Sequence, residues 1–233
     1  MDATVVLPTY NERENIIPLI EAIQCELEEA GITHQVIIVD DDSPDGTAQV
    51  VRERFGDDIR VRLFVRTEER GLATAIAHGI RRAEGDVVVV MDTDFNHDPT
   101  LLPQMIKFLE YYDIIIGSRF TMGGGMEETW RYLASFTYNF FVRVILRTQV
   151  QDNLCGFFSI HRDVLMSMDL ETIFHGYGCP DKFIRGCCLS RRYTILEVPA
   201  FYRRRLHGQS KSRFLHMLST YTWAAIKIRL SLR

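Results

Sequence analysis

Residues 85–99 read GDVVVVMDTDFNHDP, and the fold follows from how this stretch begins and ends. Within residues 86–91, an unbroken apolar run rich in β-branched valine follows Asp86, the pattern of a strand buried on both faces of a parallel sheet. The run stops at Asp92, Asp94 and Asp98, with Thr93, Asn96 and His97 between them. Open α/β sheets bind ligands at the carboxyl ends of their central strands. Two aspartates spaced i, i+2 past such an end can leave strand geometry and converge on one cation. An all-oxygen set suits Mg²⁺ or Mn²⁺, which share their coordination with substrate phosphates. Asp98 and Pro99 have a plainer reading as a helix N-cap and first helical residue. A solvated acidic turn of that kind leaves Asp92 and Asp94 unexplained.

Upstream, residues 4–7 predict a strand leading into Pro8-Thr9-Tyr10-Asn11-Glu12. Ile16, Leu19, Ile20, Ile23 and Leu27 then mark a helical stripe over 15–30, ended by Gly31. A strand over 35–39 precedes DDDSPDGT at 40–47, followed by a helix through Val51, a strand over 61–65 and a helix over 71–83. Downstream of the opening stretch come a helix from 99 to about 109 and a strand over 114–116, ending in Gly117-Ser118-Arg119. This alternation predicts an α/β domain with a mostly parallel sheet and right-handed crossovers. No Gly-x-Gly-x-x-Gly follows the first strand and no Gly-x-x-x-x-Gly-Lys-Ser/Thr occurs, which disfavours dinucleotide dehydrogenases and P-loop NTPases. Acidic loops end strands two and four instead. An aspartate there can accept from base N–H groups or ribose hydroxyls, and Tyr10 offers a ring for a base. A turn with a helix cap accounts for Ser43, Pro44 and Gly46, but not for both Asp40 and Asp41.

After Arg119 the alternation stops. Gly123-Gly124-Gly125 reads equally as a linker or a mobile lid. A helix over 130–147 carries Phe136, Tyr138, Phe140, Phe141, Val144, Ile145 and Leu146 among Arg131, Arg143 and Arg147. That is more apolar than one face of a soluble helix needs, leaving core packing and membrane contact both open. Residues 152–160 and 195–198 predict further strands, and a basic run at 203–211 precedes an amphipathic helix over 214–230. Of 233 residues, the first hundred carry 9 Lys/Arg against 21 Asp/Glu, whereas 182–233 carry 12 against 1. The basic end points to phosphate groups or a membrane surface, with a merely solvated basic face as the alternative. The start of the chain predicts no signal peptide, and no window predicts a membrane span. Five scattered cysteines predict free thiols in a reducing compartment. His175, Cys179 and Cys187 match no zinc spacing.

These residues resemble the polyprenyl-phosphate sugar transferases, specifically the dolichol-phosphate mannose synthases among the family-2 glycosyltransferases. The resemblance covers 3–213 through VVLPTYNE at 5–12, VDDDSPDGT at 39–47, RGLATA at 70–75, MDTD at 91–94, GSRF at 117–120, DNLCGFF at 152–158 and RLHGQSK at 205–211. It implies a GT-A type fold, a nucleoside-diphosphate sugar donor, Mg²⁺ or Mn²⁺, and a polyprenyl-phosphate acceptor at a membrane surface. By position it implies Pro8, Tyr10, Glu12, Val39 and Asp41 at the nucleoside. It implies Asp92, Thr93 and Asp94 at the diphosphate, with Asp94 and Asn96 on the metal. Arg119, Arg131, Ser135, Arg205 and Lys211 would face the phosphates of donor and acceptor. The family usually has Gln where Asn96 stands and Gly where Ala73 stands, and GYGCPD at 176–181 departs from it. The implied organisation is a catalytic domain over 1–212, including an acceptor loop and interface helix over 121–150. A C-terminal basic amphipathic helix over 213–233 follows. The implied location is the cytosolic face of a membrane, peripherally bound. A small membrane-anchoring subunit stays open, and nucleic acid is not an expected partner.

The implied reaction is attack by a lipid phosphate oxygen on the anomeric carbon, with inversion, as nucleoside diphosphate leaves. A phosphomonoester carries about −1.5 to −2 charge near neutrality and needs no strong base to attack. Two anionic phosphates must be held together, and that explains an acidic half and a basic end in one chain. Ser-Pro-Asp-Gly-Thr resembles mannose synthases, so GDP-mannose is the expected donor. A UDP-sugar donor is the alternative, as is transfer to a saccharide hydroxyl with Asp181 as the candidate base. A non-catalytic nucleotide-sugar-binding module is the reading from another class.

Overall fold

The structure, a computed structural model, describes residues 1–170, 174, 193–203 and 222. The helix expected over 213–233 falls almost wholly outside these, as do Asp181, Arg205 and Lys211. Strand and helix alternate as expected: β1 (Ala3–Thr9), α1 (Ile16–Glu29), β2 (His34–Asp40), α2 (Thr47–Phe55), β3 (Val61–Val65), α3 (Leu72–Ile80) and β4 (Val87–Val90). Then follow α4 (Leu102–Lys107), flanked by single 3-10 turns, and β5 (Ile114–Ser118). Beyond them lie β6 (Gly125–Met126), α5 (Thr129–Leu146), β7 (Phe158–His161), α6 (Arg162–Met166), β8 (Ile195–Pro199) and β9 (Phe201–Tyr202).

The main sheet has seven strands in the order β3-β2-β1-β4-β7-β5-β8. All neighbours run parallel except β7, which is antiparallel to both β4 and β5. The helical stripe of α1 is fully buried at Ile16, Leu19, Ile20, Ile23 and Leu27, each such side chain contributing about 1.5–3 kcal/mol. Successive residues of β2 serve opposite faces. Val36 and Ile38 join the large core with α1, while Ile37 and Val39 pack with Ala75 of α3 and Phe64. Every residue of β4 is buried, as its valine run requires.

Two expectations are corrected. Residues 152–157 are a loop, and only Phe158–His161 is strand. Their apolar side chains are explained by packing, since Cys155 and Phe157 lie in the core. Gly125, at the end of the glycine run, is not in a plain linker, because β6 pairs in parallel with β9 as a small second sheet. α5 divides between the two roles left open for it, with Asn139 and Val142 buried against the domain. Trp130, Leu133, Phe140 and Val144 are each at least 60% exposed. Among the described residues no helix is long and apolar enough to cross a membrane.

Candidate active site

In this sheet β1 pairs with β2 on one side and β4 on the other, so successive crossovers diverge at β1. The crevice above such a switch point is where open α/β sheets hold ligands. Pro8 and Val39 are registered partners, as are Thr9 and Asp40, and Val6 is registered with Val90. The candidate residues of the β1 and β2 ends therefore share one edge with Asp92–Asp94. The reversed strand β7 starts at this same edge, with Phe158 opposite both Val90 and Ile116. Its direction brings the loop 152–157 to the site.

The loops after β1 and β2 are stitched together. Ser43 Oγ accepts from Asn11 N at 2.9 Å, Thr47 Oγ1 from Glu12 N at 3.0 Å, and Asp45 Oδ2 from Arg13 N at 3.1 Å. Asp40 has the turn role, accepting from Ser43 N at 2.9 Å and Ser43 Oγ at 2.5 Å. Asp41 is pinned from two sides. Its Oδ1 accepts from Arg66 Nε at 2.8 Å and from the same guanidinium's terminal nitrogen, while Oδ2 accepts from Gly71 N at 2.7 Å. Gly71 sits at φ +142°, a backbone that only glycine adopts without strain. The pair Asp41–Arg66 is buried, so Asp41 offers a nucleoside only the lone pairs these bonds leave over. Tyr10 is 39% exposed.

The acidic loop is folded tightly. Asp94 is buried; its Oδ1 accepts from Asn96 N at 3.1 Å and its Oδ2 from Asn96 Nδ2 at 2.8 Å. Phe95 between them sits at φ 60°, a left-handed backbone that an aromatic residue adopts only under constraint, as happens at functional loops. Asp92 is more open, its side chain 42% exposed. Asp98 caps the following turn, accepting from Thr100 N at 3.1 Å ahead of Pro99, as the plain reading requires. Among the described residues no cluster of three His, Cys, Asp or Glu forms a metal cage. One or two carboxylates with substrate phosphates is instead the usual Mg²⁺ arrangement, and the oxygens of Asp92 and Asp94 fit it. Asn96 presents its amide nitrogen to Asp94, so its amide must turn for its oxygen to share a cation with that carboxylate.

Sequence reasoning missed what lies beneath the loop. His97 is buried, accepts from Asp92 N at 2.9 Å through Nδ1, and meets Tyr202 Oη at 2.9 Å through Nε2. Burial pushes its pKa down to about 4, so the ring is neutral at pH 7.

Arg119, expected at the phosphates, is paired within the protein. Its Nε and a terminal nitrogen donate to the two oxygens of Asp152, at 2.7 and 2.6 Å, and Asp152 is fully buried. Asp152 N in turn donates to Glu197 Oε1 at 2.9 Å. With one face of the guanidinium used, the N–H groups at its outer end remain for a ligand. Arg131 and Ser135 lie one turn apart on α5, where Arg131 pairs with Glu128 at 3.3 Å. Among the described residues no hydrogen bond or ion pair joins either to the acidic loop. Buried Asn139 docks α5 onto the site instead, its Oδ1 accepting from Asn153 N at 2.8 Å.

Residues 4–168 match the family model described as glycosyl transferase family 2. The chain is 35% identical over 91% of its length to a dolichol-phosphate mannosyltransferase of Pyrococcus furiosus, of whose length it spans 59%. It is 34% identical to an undecaprenyl-phosphate mannosyltransferase of Micrococcus luteus, covering 91% of this chain and 87% of that one. Identity to the dolichol-phosphate mannosyltransferase of Saccharomyces cerevisiae is 30%, covering 91% and 81%. In fold it is similar to glucosyl-3-phosphoglycerate synthase of Mycobacterium tuberculosis, solved with Mn²⁺, UDP and phosphoglyceric acid. The TM-score is 0.73 at 20% identity, covering 98% of this chain and 78% of that one. With an acid-tipped β4 at the switch point of a GT-A type sheet and a family match over most of its length, the chain belongs to glycosyl transferase family 2.

Proposed function

We propose that the chain is a hexosyltransferase that moves mannose from GDP-mannose onto a polyprenyl phosphate, with inversion and with Mg²⁺ or Mn²⁺. The observation that carries the reading is the acidic loop Asp92–Asp94 at the β1–β4 crevice, in a chain whose relatives are named as polyprenyl-phosphate mannosyltransferases. Pro8, Tyr10, Glu12, Val39 and Asp41 line the nucleoside end, with Asp41 held rigid by Arg66. Asp92, Thr93 and Asp94 meet the diphosphate, and Asp94 with a turned Asn96 amide holds the metal. When bound, the cation supplies the positive charge that makes nucleoside diphosphate a competent leaving group. The acceptor phosphate oxygen forms its bond to the anomeric carbon as the bond to the diphosphate breaks. Arg131 and Ser135 from α5, and Arg205 and Lys211 outside the described residues, hold that phosphate. Arg119 braces the crevice through Asp152 and offers its remaining N–H groups.

The exposed apolar side chains of α5, beside Arg131, Arg143 and Arg147, support peripheral binding to the cytosolic face of a membrane carrying the lipid acceptor. The same face would seat a small membrane-anchoring subunit. A UDP-sugar donor is the second reading, favoured by the UDP held in proteins of similar fold. Labelled GDP-mannose and UDP-glucose, each offered polyprenyl phosphate or a free saccharide, separate these readings. Label reaching the lipid from GDP-mannose alone supports the first, and label on the saccharide alone overturns it.

A further inference from the structure

We infer that His97 and Tyr202 are positioning residues, holding the Asp92–Asp94 loop to the strand that enters the basic segment and thereby setting the metal–diphosphate affinity of the site. The inference rests on the function proposed above. The Asp92 backbone N–H, 2.9 Å from His97 Nδ1, can only donate, so Nδ1 presents its lone pair and the ring proton sits on Nε2. That proton faces Tyr202 Oη at 2.9 Å, which leaves the tyrosine hydroxyl to donate to Cys155 Sγ at 2.9 Å. The Cys155 thiol then donates to the Gly117 carbonyl at 2.7 Å. The chain of bonds runs one way, from a backbone donor of the acidic loop to a backbone acceptor in β5, with one proton for each link.

Every side chain in it is buried, so each link is expensive to leave unmade. The His97 ring lies parallel to Phe157 at 4.8 Å and meets the edge of Tyr202 at 4.9 Å. The Arg119 guanidinium sits 4.8 Å from the Tyr202 ring centroid. A Cβ on Gly117 would come within 2.7 Å of Phe157, so even the backbone here is fitted to the cluster. Tyr202 thus touches His97 of the acidic loop, Cys155 of the loop 152–157, and Arg119. The next residue, Arg203, reaches Asp98 Oδ2 at 3.3 Å, a second tie between the same two segments. Groups that orient metal-bearing residues without touching the metal commonly change affinity by about 10–100-fold when lost.

Tyr202→Phe removes the hydroxyl and keeps the ring. In the purified full chain, Mn²⁺ binding with GDP, and separately with UDP, is read from the electron paramagnetic resonance of free Mn²⁺. The expected result is Mn²⁺ affinity about tenfold weaker, with the donor KM rising more than kcat falls and the unfolding midpoint little changed. Cys155→Ser keeps a hydroxyl in the relay and is expected to retain wild-type affinity. Unchanged Mn²⁺ affinity in a folded Tyr202→Phe chain overturns the inference. Where Tyr202→Phe does not fold, His97→Asn decides. Its carboxamide still accepts from Asp92 N–H but falls short of Tyr202, so affinity drops likewise, and wild-type affinity overturns the inference. A wild-type chain that binds no Mn²⁺ with either nucleotide overturns the proposed function itself.

Discussion

Arg119 and Asp152 form a bidentate ion pair with Nε–Oδ2 at 2.7 Å and a second N–O contact at 2.6 Å, and the carboxylate is wholly shielded from solvent. The Asp152 carboxylate also accepts from Arg119 backbone N at 3.1 Å, so side chain and main chain are held together. Breaking a buried pair from one side leaves an uncompensated charge, which costs about 3–5 kcal/mol. Asp152→Ala is therefore expected to lose about that much in urea unfolding. A loss within the ordinary surface range of about 0.5 kcal/mol would mean the pair does not bear on the fold.

Asp94→Ala is expected to abolish Mn²⁺ binding in the presence of nucleoside diphosphate while the chain stays folded, because its neighbours in β4 form the core without it. Retained Mn²⁺ affinity in a titration followed by calorimetry would place the metal elsewhere.

Asn96 tests the reach of the same site. Asn96→Gln adds one methylene and keeps the carboxamide, so metal-dependent transfer should persist. Asn96→Ala should weaken Mn²⁺ binding by about tenfold. Equal affinities for both variants would remove Asn96 from the ligand set.

On α5, Leu133→Glu with Phe140→Glu replaces two side chains that are 64% and 60% exposed. Flotation with anionic phospholipid vesicles should show reduced binding, since a charge on the apolar face opposes burial at the interface. The unfolding midpoint should hardly move. Undiminished flotation would remove α5 from the membrane surface.

Asp58 supplies a pH dependence. Hydrogen bonding to Arg60 foremost, and to Gln24, holds its carboxyl well below the ordinary range, against a desolvation cost. A lowered folded-state pKa means this stabilisation is complete above the unfolded value of about 3.9 and is lost as pH falls toward the folded value. Acid unfolding of Asp58→Asn should therefore lack the part of the pH slope below about 4 that wild type shows. Identical slopes would refute the assignment.

Much of this architecture is legible in the sequence because it is local. The valine run of β4, the α1 stripe and the Asp98-Pro99 cap each depend on residues within a few turns of one another. Direction and distant partners are not local. The residues 152–160 are apolar enough for a strand, but nothing in them reveals that only the last part pairs, or that it runs backwards between β4 and β5. The aspartates at strand ends were visible as candidates. The partners that hold them were not, since Arg66 lies 25 residues from Asp41 and Tyr202 lies 105 from His97. The sequence neighbourhood of Arg119 likewise does not show that Asp152, 33 residues on, takes two of its N–H groups.

The most direct measurement is transfer of label from GDP-mannose into the organic phase with polyprenyl phosphate as acceptor, before and after chelation. The account predicts that stringent chelation stops transfer and that adding back Mg²⁺ or Mn²⁺ restores it. Transfer that continues at full rate without divalent metal would contradict it.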